Sequence, residues 1–127
     1  MDSSTLLITD SYLHDYLKLP TKNLIYTHNA RYFHMNRCHI SNYYQVNPFN
    51  TPLLIENSLF DYINEDGIDC DNSPSAIIRN CTFRNGLCEK GKVHSVDAVD
   101  FGKYNMEGLG SIGSVENCFM YNITDKG

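Results

Sequence analysis

One short pattern of apolar and polar positions recurs five times along the chain, each copy anchored on a Ser or a Cys. The anchors are Ser11, Cys38, Ser58, Cys81 and Cys118. In every copy the residue three before the anchor and the residue two after it are apolar. The first set is Ile8, Met35, Ile55, Ile78 and Val115, and the second is Leu13, Ile40, Phe60, Phe83 and Met120. Because only 42% of the chain is apolar, ten apolar residues in ten such positions indicate a structural repeat rather than chance.

The residue directly before the anchor belongs mostly to the Asn/Asp class, as a tight turn would require. These residues are Asp10, Arg37, Asn57, Asn80 and Asn117. Asparagine tolerates the left-handed backbone conformation and can bond its own backbone. Equivalent residues form columns when coils stack in parallel about 4.8 Å apart, with the aliphatic columns inside. We therefore predict an all-β fold, a right-handed parallel β-helix of about five coils, forming one segment over residues 1–127.

The spacing between successive anchors is 27, 20, 23 and 37 residues, and only the last is too long for one coil. A second pattern locates the extra residues. Asp66-Gly67-Ile68-Asp69-Cys70 begins eight residues after its anchor, whereas Asp97-Ala98-Val99-Asp100-Phe101 begins sixteen residues after its own. We therefore predict insertions near residues 87–94 and 103–112, which are rich in glycine, lysine and polar residues, as surface loops are.

Both ends of the repeat are predicted to be uncapped, since no capping helix precedes Ser11 and the sequence after Thr124 stops within a turn. On this interpretation the chain is a fragment of a longer protein. Two other folds stay open as alternatives. An α/β or β-sandwich domain would require the repeat to be coincidental, and a leucine-rich repeat would require an L-x-x-L-x-L signature that the chain lacks.

Composition narrows the classes of partner. The net charge is −5 and no cluster of Lys or Arg is present, so we expect neither a nucleic-acid-binding nor a membrane-binding surface. No stretch approaches the roughly 20 apolar residues of a membrane span. The first ten residues contain no basic residue, so no signal peptide is predicted. The five cysteines include no C-x-x-C pair, which argues against zinc, and Cys81 and Cys118 are expected to pack as small hydrophobic residues.

The sharpest candidates for chemistry are the acidic residues of the two repeated turns. In register, Asp66 lies beside Asp97 and Asp69 beside Asp100, about 5 Å apart. Stacked carboxylates repel each other, and calcium, which takes roughly six to eight oxygen ligands, would relieve the repulsion. Three interpretations stay open: the four carboxylates hold calcium, they act as catalytic acids, or they only cap their turns through nearby backbone amides. We favour turn-capping.

Tyrosine and histidine provide weaker candidates. Exposed tyrosines present flat apolar faces with a polar tip, which suits stacking on sugar rings, although tyrosine is also a common strand residue. The tyrosines on or just beyond the predicted strands are Tyr12, Tyr16, Tyr43, Tyr44, Tyr62 and Tyr121. Among the histidines only His94 is near the acidic turns, and a surface position is its simpler interpretation. No catalytic or substrate-binding residue is assigned from the sequence.

The recurring h-x-N-[CS]-x-F-x-N coils are accompanied by Asp66-Gly67-Ile68-Asp69, Asp97-Ala98-Val99-Asp100-Phe101 and the closing Asp125-Lys126-Gly127. Together these motifs resemble the right-handed β-helix regions of large extracellular proteins. Among these are the β-helix segments found with spore-coat (CotH-type) kinase-like domains and, more loosely, the pectin-lyase-like superfamily. The resemblance covers nearly the whole chain and is specific for architecture rather than activity, since one solenoid supports many functions.

The resemblance implies a β-helix scaffold or carbohydrate-binding module of a larger extracellular or cell-surface protein. Its implied partners are polysaccharide and further coils or domains of the same parent chain. The alternative is a fragment of a polysaccharide lyase, hydrolase or epimerase. No catalytic set of that superfamily transfers, because Asn64-Glu65-Asp66-Gly67 matches its Asn-Thr-Asp motif only in part and its other motifs are absent. Whether the chain is an enzyme is left open, and no cofactor is expected beyond the candidate calcium.

Overall fold

The computed structural model describes residues 4–15, 22–86, 96–102 and 110–124. Within these ranges the chain forms fourteen β-strands and no helix. The strands are β1 (Thr5–Thr9), β2 (Tyr12–His14), β3 (Ile25–His28), β4 (Tyr32–Asn36), β5 (His39–Tyr43), β6 (Val46–Phe49), β7 (Leu53–Glu56), β8 (Leu59–Ile63), β9 (Ile68–Asp69), β10 (Ala76–Arg79), β11 (Thr82–Gly86), β12 (Val99–Asp100), β13 (Gly113–Glu116) and β14 (Phe119–Ile123). The same part of the chain contains no helix that could cross a membrane.

The strands assemble into three sheets. Sheet A has the order β1-β4-β7-β10-β13, sheet B has β2-β5-β8-β11-β14, and sheet C has β3-β6-β9-β12. Successive strands therefore belong to successive sheets, and all the described strand pairs are parallel. This arrangement confirms the predicted all-β solenoid. The coil count is slightly lower than the predicted five, because within the described residues the last coil adds strands only to sheets A and B.

The two apolar columns of the repeat face the interior, as predicted. Sheet A aligns Ile8, Met35, Ile55, Ile78 and Val115, and sheet B aligns Leu13, Ile40, Phe60, Phe83 and Met120. Parallel stacking places like side chains on like, and the rings of Phe60 and Phe83 stack at 4.7 Å with 9° between their planes. The six members in the middle coils are completely buried, whereas Val115 and Met120 in the last coil remain 38% and 47% exposed.

The corners of the coils are built on left-handed residues. Between sheets A and B these are Asp10, Arg37, Asn57, Asn80 and Asn117, with φ between 50° and 54°. Near the ends of the sheet B strands they are Asn42, Tyr62, Asn85 and Asn122, and between sheets C and A they are Asn29, Asn50 and Asn72. Asparagine is favoured because its short polar side chain tolerates positive φ. The predicted asparagine turns are confirmed, and their amides bond along the stack, as from Asn80 Nδ2 to Asn57 Oδ1 at 3.3 Å.

The anchor residue after the first corner closes the turn. Ser11 Oγ donates to Thr9 O at 2.8 Å, and the same bond to the carbonyl two residues earlier recurs in the other four coils. The position therefore needs a short side chain with a donor, which explains why both Ser and Cys occur there. Cys81 and Cys118 are free thiols, whereas Cys88 lies outside the described residues. The predicted insertions near 87–94 and 103–112 also lie outside them, apart from residues 110–112.

Candidate functional site

A groove follows the corner between sheets A and B, and we call it the corner groove. It is a shallow depression that is open to solvent over most of its extent, with a volume of about 760 Å³. One wall is the corner column of Asp10, Arg37, Asn57 and Asn80, the other is the outer column of Tyr12, His39, Leu59 and Thr82, and the floor is Ser11, Cys38 and Ser58. The small anchor side chains leave this depression between the two walls. Four coils contribute, so the groove extends roughly 14 Å along the stack at about 4.8 Å per coil.

The sheet B wall carries an exposed aromatic ring. Tyr12 is 60% exposed, although its ring packs on His39 at 4.8 Å and on His14 at 5.2 Å between centroids. The parallel register places Tyr12 beside His39, and the two-residue period of the strand puts His14 on the same face. Contact with two imidazole rings restricts the tyrosine ring and leaves much of its surface available to a ligand.

The corner wall presents polar groups with little net charge. Arg37 Nε donates to Asp10 Oδ1 at 2.6 Å, and the terminal nitrogen Nη2 donates to Oδ2 at 2.7 Å. This bidentate pair lowers the pKa of Asp10 to about 2 and raises the pKa of Arg37, so both stay ionised and their charges cancel. Asn57 and Asn80 supply amides further along the wall. Such a wall recognises hydroxyl groups better than it recognises charged groups.

The acidic turns lie on and beside sheet C instead. Asp69 and Asp100 occupy adjacent strands in register, as predicted. Gly67 N donates to Asp97 O at 2.8 Å, which places Asp66 in line with Asp97. Burial and the neighbouring carboxylates raise the pKa of Asp66 to about 7 and the pKa of Asp69 to about 6. The carboxylates therefore repel each other, and Asp66 is partly protonated at neutral pH.

The fit of these carboxylates to calcium is incomplete. Asp69 Oδ2 accepts a hydrogen bond from Asn47 Nδ2 at 2.7 Å, and Asp69 Oδ1 accepts one from the backbone N of Asp71 at 3.3 Å. The second bond is the turn-capping contact that the sequence interpretation favoured. In the described part of the chain, no three His, Cys, Asp or Glu side chains are grouped so that they could hold a metal ion. Calcium at Asp66, Asp69, Asp97 and Asp100 stays a prediction.

The candidate tyrosines fall into different environments. Tyr12 lies on the corner groove, whereas Tyr62 and Tyr121 are exposed outside it. Tyr16 and His94 lie outside the described residues. Tyr44 is half-buried. Tyr12 is therefore the candidate tyrosine that lines the corner groove.

Tyr43 is completely buried, so of its two interpretations the strand residue applies and stacking on a sugar ring does not. Its hydroxyl donates to Gly67 O at 3.1 Å. The cause is the left-handed residue Asn42, which interrupts the alternation of β5 and turns the next side chain inward. The inner face of the coil thus includes a residue that simple alternation from Ile40 would place outside.

An aromatic cluster on sheet C was missed by the sequence analysis. The ring centroids of Tyr26 and His28 are 6.2 Å apart, and those of His28 and Phe49 are 5.1 Å apart with 7° between their planes. Together with Asn47 they line a cavity of about 250 Å³. The alternation in β3 was a usable signal, but the anchored repeat covers only sheets A and B, and the acidic pattern covers only β9 and β12 of sheet C.

Comparisons with protein-family models, with curated proteins and with solved structures find no match to this chain. The sheet topology establishes the parallel β-solenoid. The resemblance to pectin-lyase-like and CotH-associated proteins stays a prediction. Because solenoids support unrelated functions, the function must be argued from the surface of this chain.

Proposed function

We propose that this chain is a β-helix scaffold that binds an extended polysaccharide in the corner groove. The observation that carries the proposal is the continuity of the groove across four coils, with an exposed tyrosine on one wall and amides on the other. The C–H face of one sugar ring would stack on Tyr12, and the hydroxyl groups of later units of the polymer would bond the amides of Asn57 and Asn80, two and three coils away. A groove that runs over four stacked coils suits a polymer, because successive units can occupy successive coils.

The charge of the groove favours a neutral polysaccharide. Arg37 is already engaged by both carboxylate oxygens of Asp10, so it offers no free positive charge to an acidic sugar. The whole chain carries a net charge of −5, which repels a polyuronate at long range. A neutral glycan needs no positive charge in the groove and is not repelled by the net negative charge of the chain.

The placement of the acidic turns supports binding rather than catalysis. In a coil with three sides, the corner between sheets A and B lies opposite sheet C, which carries Asp69 and Asp100. A polymer in the corner groove would therefore lie across the stack from these carboxylates, beyond the reach of acid–base chemistry. The lyase, hydrolase or epimerase alternative would require the polymer to bind on sheet C.

The proposal is tested by comparing Tyr12→Ala with the matched control Tyr26→Ala. Both tyrosines are exposed strand residues, at 60% and 57%, and both pack on a histidine, but Tyr26 lies on sheet C. Affinity electrophoresis of the full chain in gels containing glucan, mannan, xylan or polygalacturonate measures binding as retardation. We expect a neutral polymer to retard the chain. Tyr12→Ala should weaken that binding roughly tenfold, as a loss of about 1.4 kcal/mol of stacking would.

Retardation by none of the four polymers would contradict the proposal, as would retardation that Tyr12→Ala leaves unchanged. If Tyr26→Ala weakened polysaccharide binding more than Tyr12→Ala, the binding site would lie on sheet C, which would favour the enzyme alternative. Far-ultraviolet circular dichroism of both variants checks that each keeps its strands.

A further inference from the structure

The outer face of sheet C carries a flat aromatic surface beside a cavity. Tyr26 and His28 lie on β3, and the register places Asn47 and Phe49 beside them on β6. The rings of His28 and Phe49 are nearly parallel, and 57% of Tyr26 is exposed. These four residues line the cavity of about 250 Å³. Such a surface suits the apolar face of a ring-shaped ligand.

Carboxylates continue the same face in the next two coils. The register of β6 and β9 places Asp69 beside Asn47, and the hydrogen bond from Asn50 N to Asp71 O at 2.9 Å places Asp71 beside Phe49. Asp100 follows Asp69 on β12. Each coil adds about 4.8 Å. The face therefore changes from aromatic to acidic within two coils of the stack.

These carboxylates lack a cationic partner in the part of the chain that the structure describes. Among the described residues, no ion pair involves Asp69, Asp71 or Asp100. Burial, followed by repulsion from Asp71 and Asp100, raises the pKa of Asp69 to about 6. Burial, followed by repulsion from Asp100, also raises the pKa of Asp71. A positively charged ligand would relieve the repulsion.

We propose that the outer face of sheet C binds a polymer of cationic amino sugars, at a site separate from the corner groove. The C–H face of one sugar ring would pack on Tyr26 and Phe49. A protonated amine of the polymer would donate hydrogen bonds to the carboxylates of Asp69 and Asp71 in the next coil. The net charge of −5 attracts such a polymer at long range.

Asn47 lies between the aromatic rows and the carboxylates, and it favours a ligand rich in donors. Its Nδ2 donates to Asp69 Oδ2 at 2.7 Å, whereas its buried Oδ1 accepts no hydrogen bond from the described residues. The centre of the face therefore offers acceptors, namely this amide oxygen and the carboxylates beside it. A protonated amine has three donors and a positive charge, so it fits better than an acetylated amine, which has one donor and no charge.

The separation of the rings from the carboxylates favours an amino sugar over a basic peptide. The guanidinium group of an arginine would stack on the rings themselves, which places its charge away from the carboxylates. A lysine side chain is flexible and has no flat apolar face. An amino sugar carries both a flat ring face and an amine at the edge of the ring, and a polymer repeats this pair along its length.

The test titrates the full chain with a tetramer of glucosamine and with the same tetramer fully N-acetylated, by isothermal titration calorimetry. A slightly acid buffer keeps the amines protonated. We expect the acetylated tetramer to bind at least roughly tenfold more weakly. Tyr26→Ala and Asp71→Asn should each weaken binding of the glucosamine tetramer roughly tenfold, through lost stacking and lost charge respectively.

Two matched controls lie on other sheets. Tyr121→Ala removes a tyrosine of similar exposure from sheet B, and Glu116→Gln makes the same change in net charge on sheet A. We expect both variants to bind the glucosamine tetramer as the natural chain does. Far-ultraviolet circular dichroism checks that every variant keeps its strands.

Failure of the glucosamine tetramer to bind, or equal binding of the two tetramers, would overturn the proposal. Equal losses for Asp71→Asn and Glu116→Gln would also overturn it, because long-range attraction alone would then explain the binding. If tetralysine bound as tightly and lost affinity in Tyr26→Ala, the ligand would be a basic peptide rather than an amino sugar. Since Tyr26 and Asp71 do not line the corner groove, these outcomes are independent of the proposed binding of a neutral polysaccharide.

Discussion

Tyr62 holds a backbone conformation that asparagine holds in the neighbouring coils. Its φ is 53°, in the same column as Asn42, Asn85 and Asn122. In this region the β carbon of a bulky residue crowds the adjacent carbonyl oxygen, whereas asparagine tolerates it. The ring of Tyr62 is largely exposed, so burial does not compensate for the strain.

Tyr62→Asn should therefore stabilise the chain. Relief of left-handed strain is worth about 1 kcal/mol, and we expect the free energy of unfolding to rise by about that amount in urea titrations. The control is Tyr12→Asn, since Tyr12 is also exposed but is not among the positive-φ residues. Equal changes in the two variants would show that the backbone of Tyr62 is not the cause.

Which corner residues could be predicted depends on their side chains. The asparagine column before the anchors was readable, because asparagine is among the few residues that favour positive φ. Arg37 and Tyr62 gave no such signal, since their left-handed conformation is imposed by the coils stacked on either side. The hydrogen bond from each anchor also remained hidden, although the uniformly small size of the column was visible.

At the scale of the strands, stacking determines how far an inner residue is buried. Phe83 of β11 lies between Phe60 and Met120 in its column and is completely buried. Met120 of β14 has the same inward direction but is covered on one side only. Met120 can therefore serve as the control for Phe83, because both side chains belong to the same inner column but only Phe83 is covered on both sides.

Phe83→Ala should lower the free energy of unfolding by about 3–5 kcal/mol, because it removes a buried ring that stacks on Phe60. Met120→Ala should cost less than half as much, since nearly half of that side chain is already in solvent. Tyr12→Ala, on the outer face, should cost less again. Thermal melts of the three variants measure the order, and similar losses for Phe83→Ala and Tyr12→Ala would refute the assignment of inner and outer faces.

Sheets A and B were predictable from the sequence as strands, whereas sheet C was predictable only at the acidic turns, where β9 and β12 pair in the expected register. Sheets A and B consist largely of strands with four or five residues that carry the repeat, whereas β9 and β12 have two residues each. A strand of two residues shows no period of its own. The corner groove was hidden for a different reason: it joins Tyr12 to His39 across a whole coil, so it exists only once the register is fixed.

Two electrostatic classes of carboxylate occur among the described residues. Glu56 of sheet A and Asp61 of sheet B are paired with arginines. The hydrogen bond from Arg79 lowers the pKa of Glu56. Burial raises the pKa of Asp61, but the hydrogen bonds from Arg84 and Asn85 outweigh it and the pKa is lowered. These acids stabilise the fold when ionised, so their contribution is lost as the pH falls through their lowered pKa values.

Asp66 and Asp69 belong to the opposite class. Burial, followed by repulsion from other carboxylates, raises the pKa of Asp66 from 3.8 to about 7 and that of Asp69 to about 6. Because the folded pKa exceeds the unfolded value, the folded chain binds more protons than the unfolded chain across this interval. Stability contributed by these groups is therefore greatest at acid pH and falls as the pH rises from about 4 to about 7.

We expect Tm to be higher at pH 5 than at pH 7.5, and Asp66→Asn to remove much of that difference. The amide carries no charge at either pH, so the variant should melt above the natural chain at pH 7.5 and close to it at pH 5. Differential scanning calorimetry at the two pH values measures both shifts. Asp10→Asn is the control with the opposite sign, because it removes a carboxylate whose ionised form pairs with Arg37, and it should not raise Tm at pH 7.5. If Tm changed equally with pH in the natural chain and in Asp66→Asn, the protons would be bound by other groups. The acidic turns would then be as well solvated in the folded chain as in the unfolded chain.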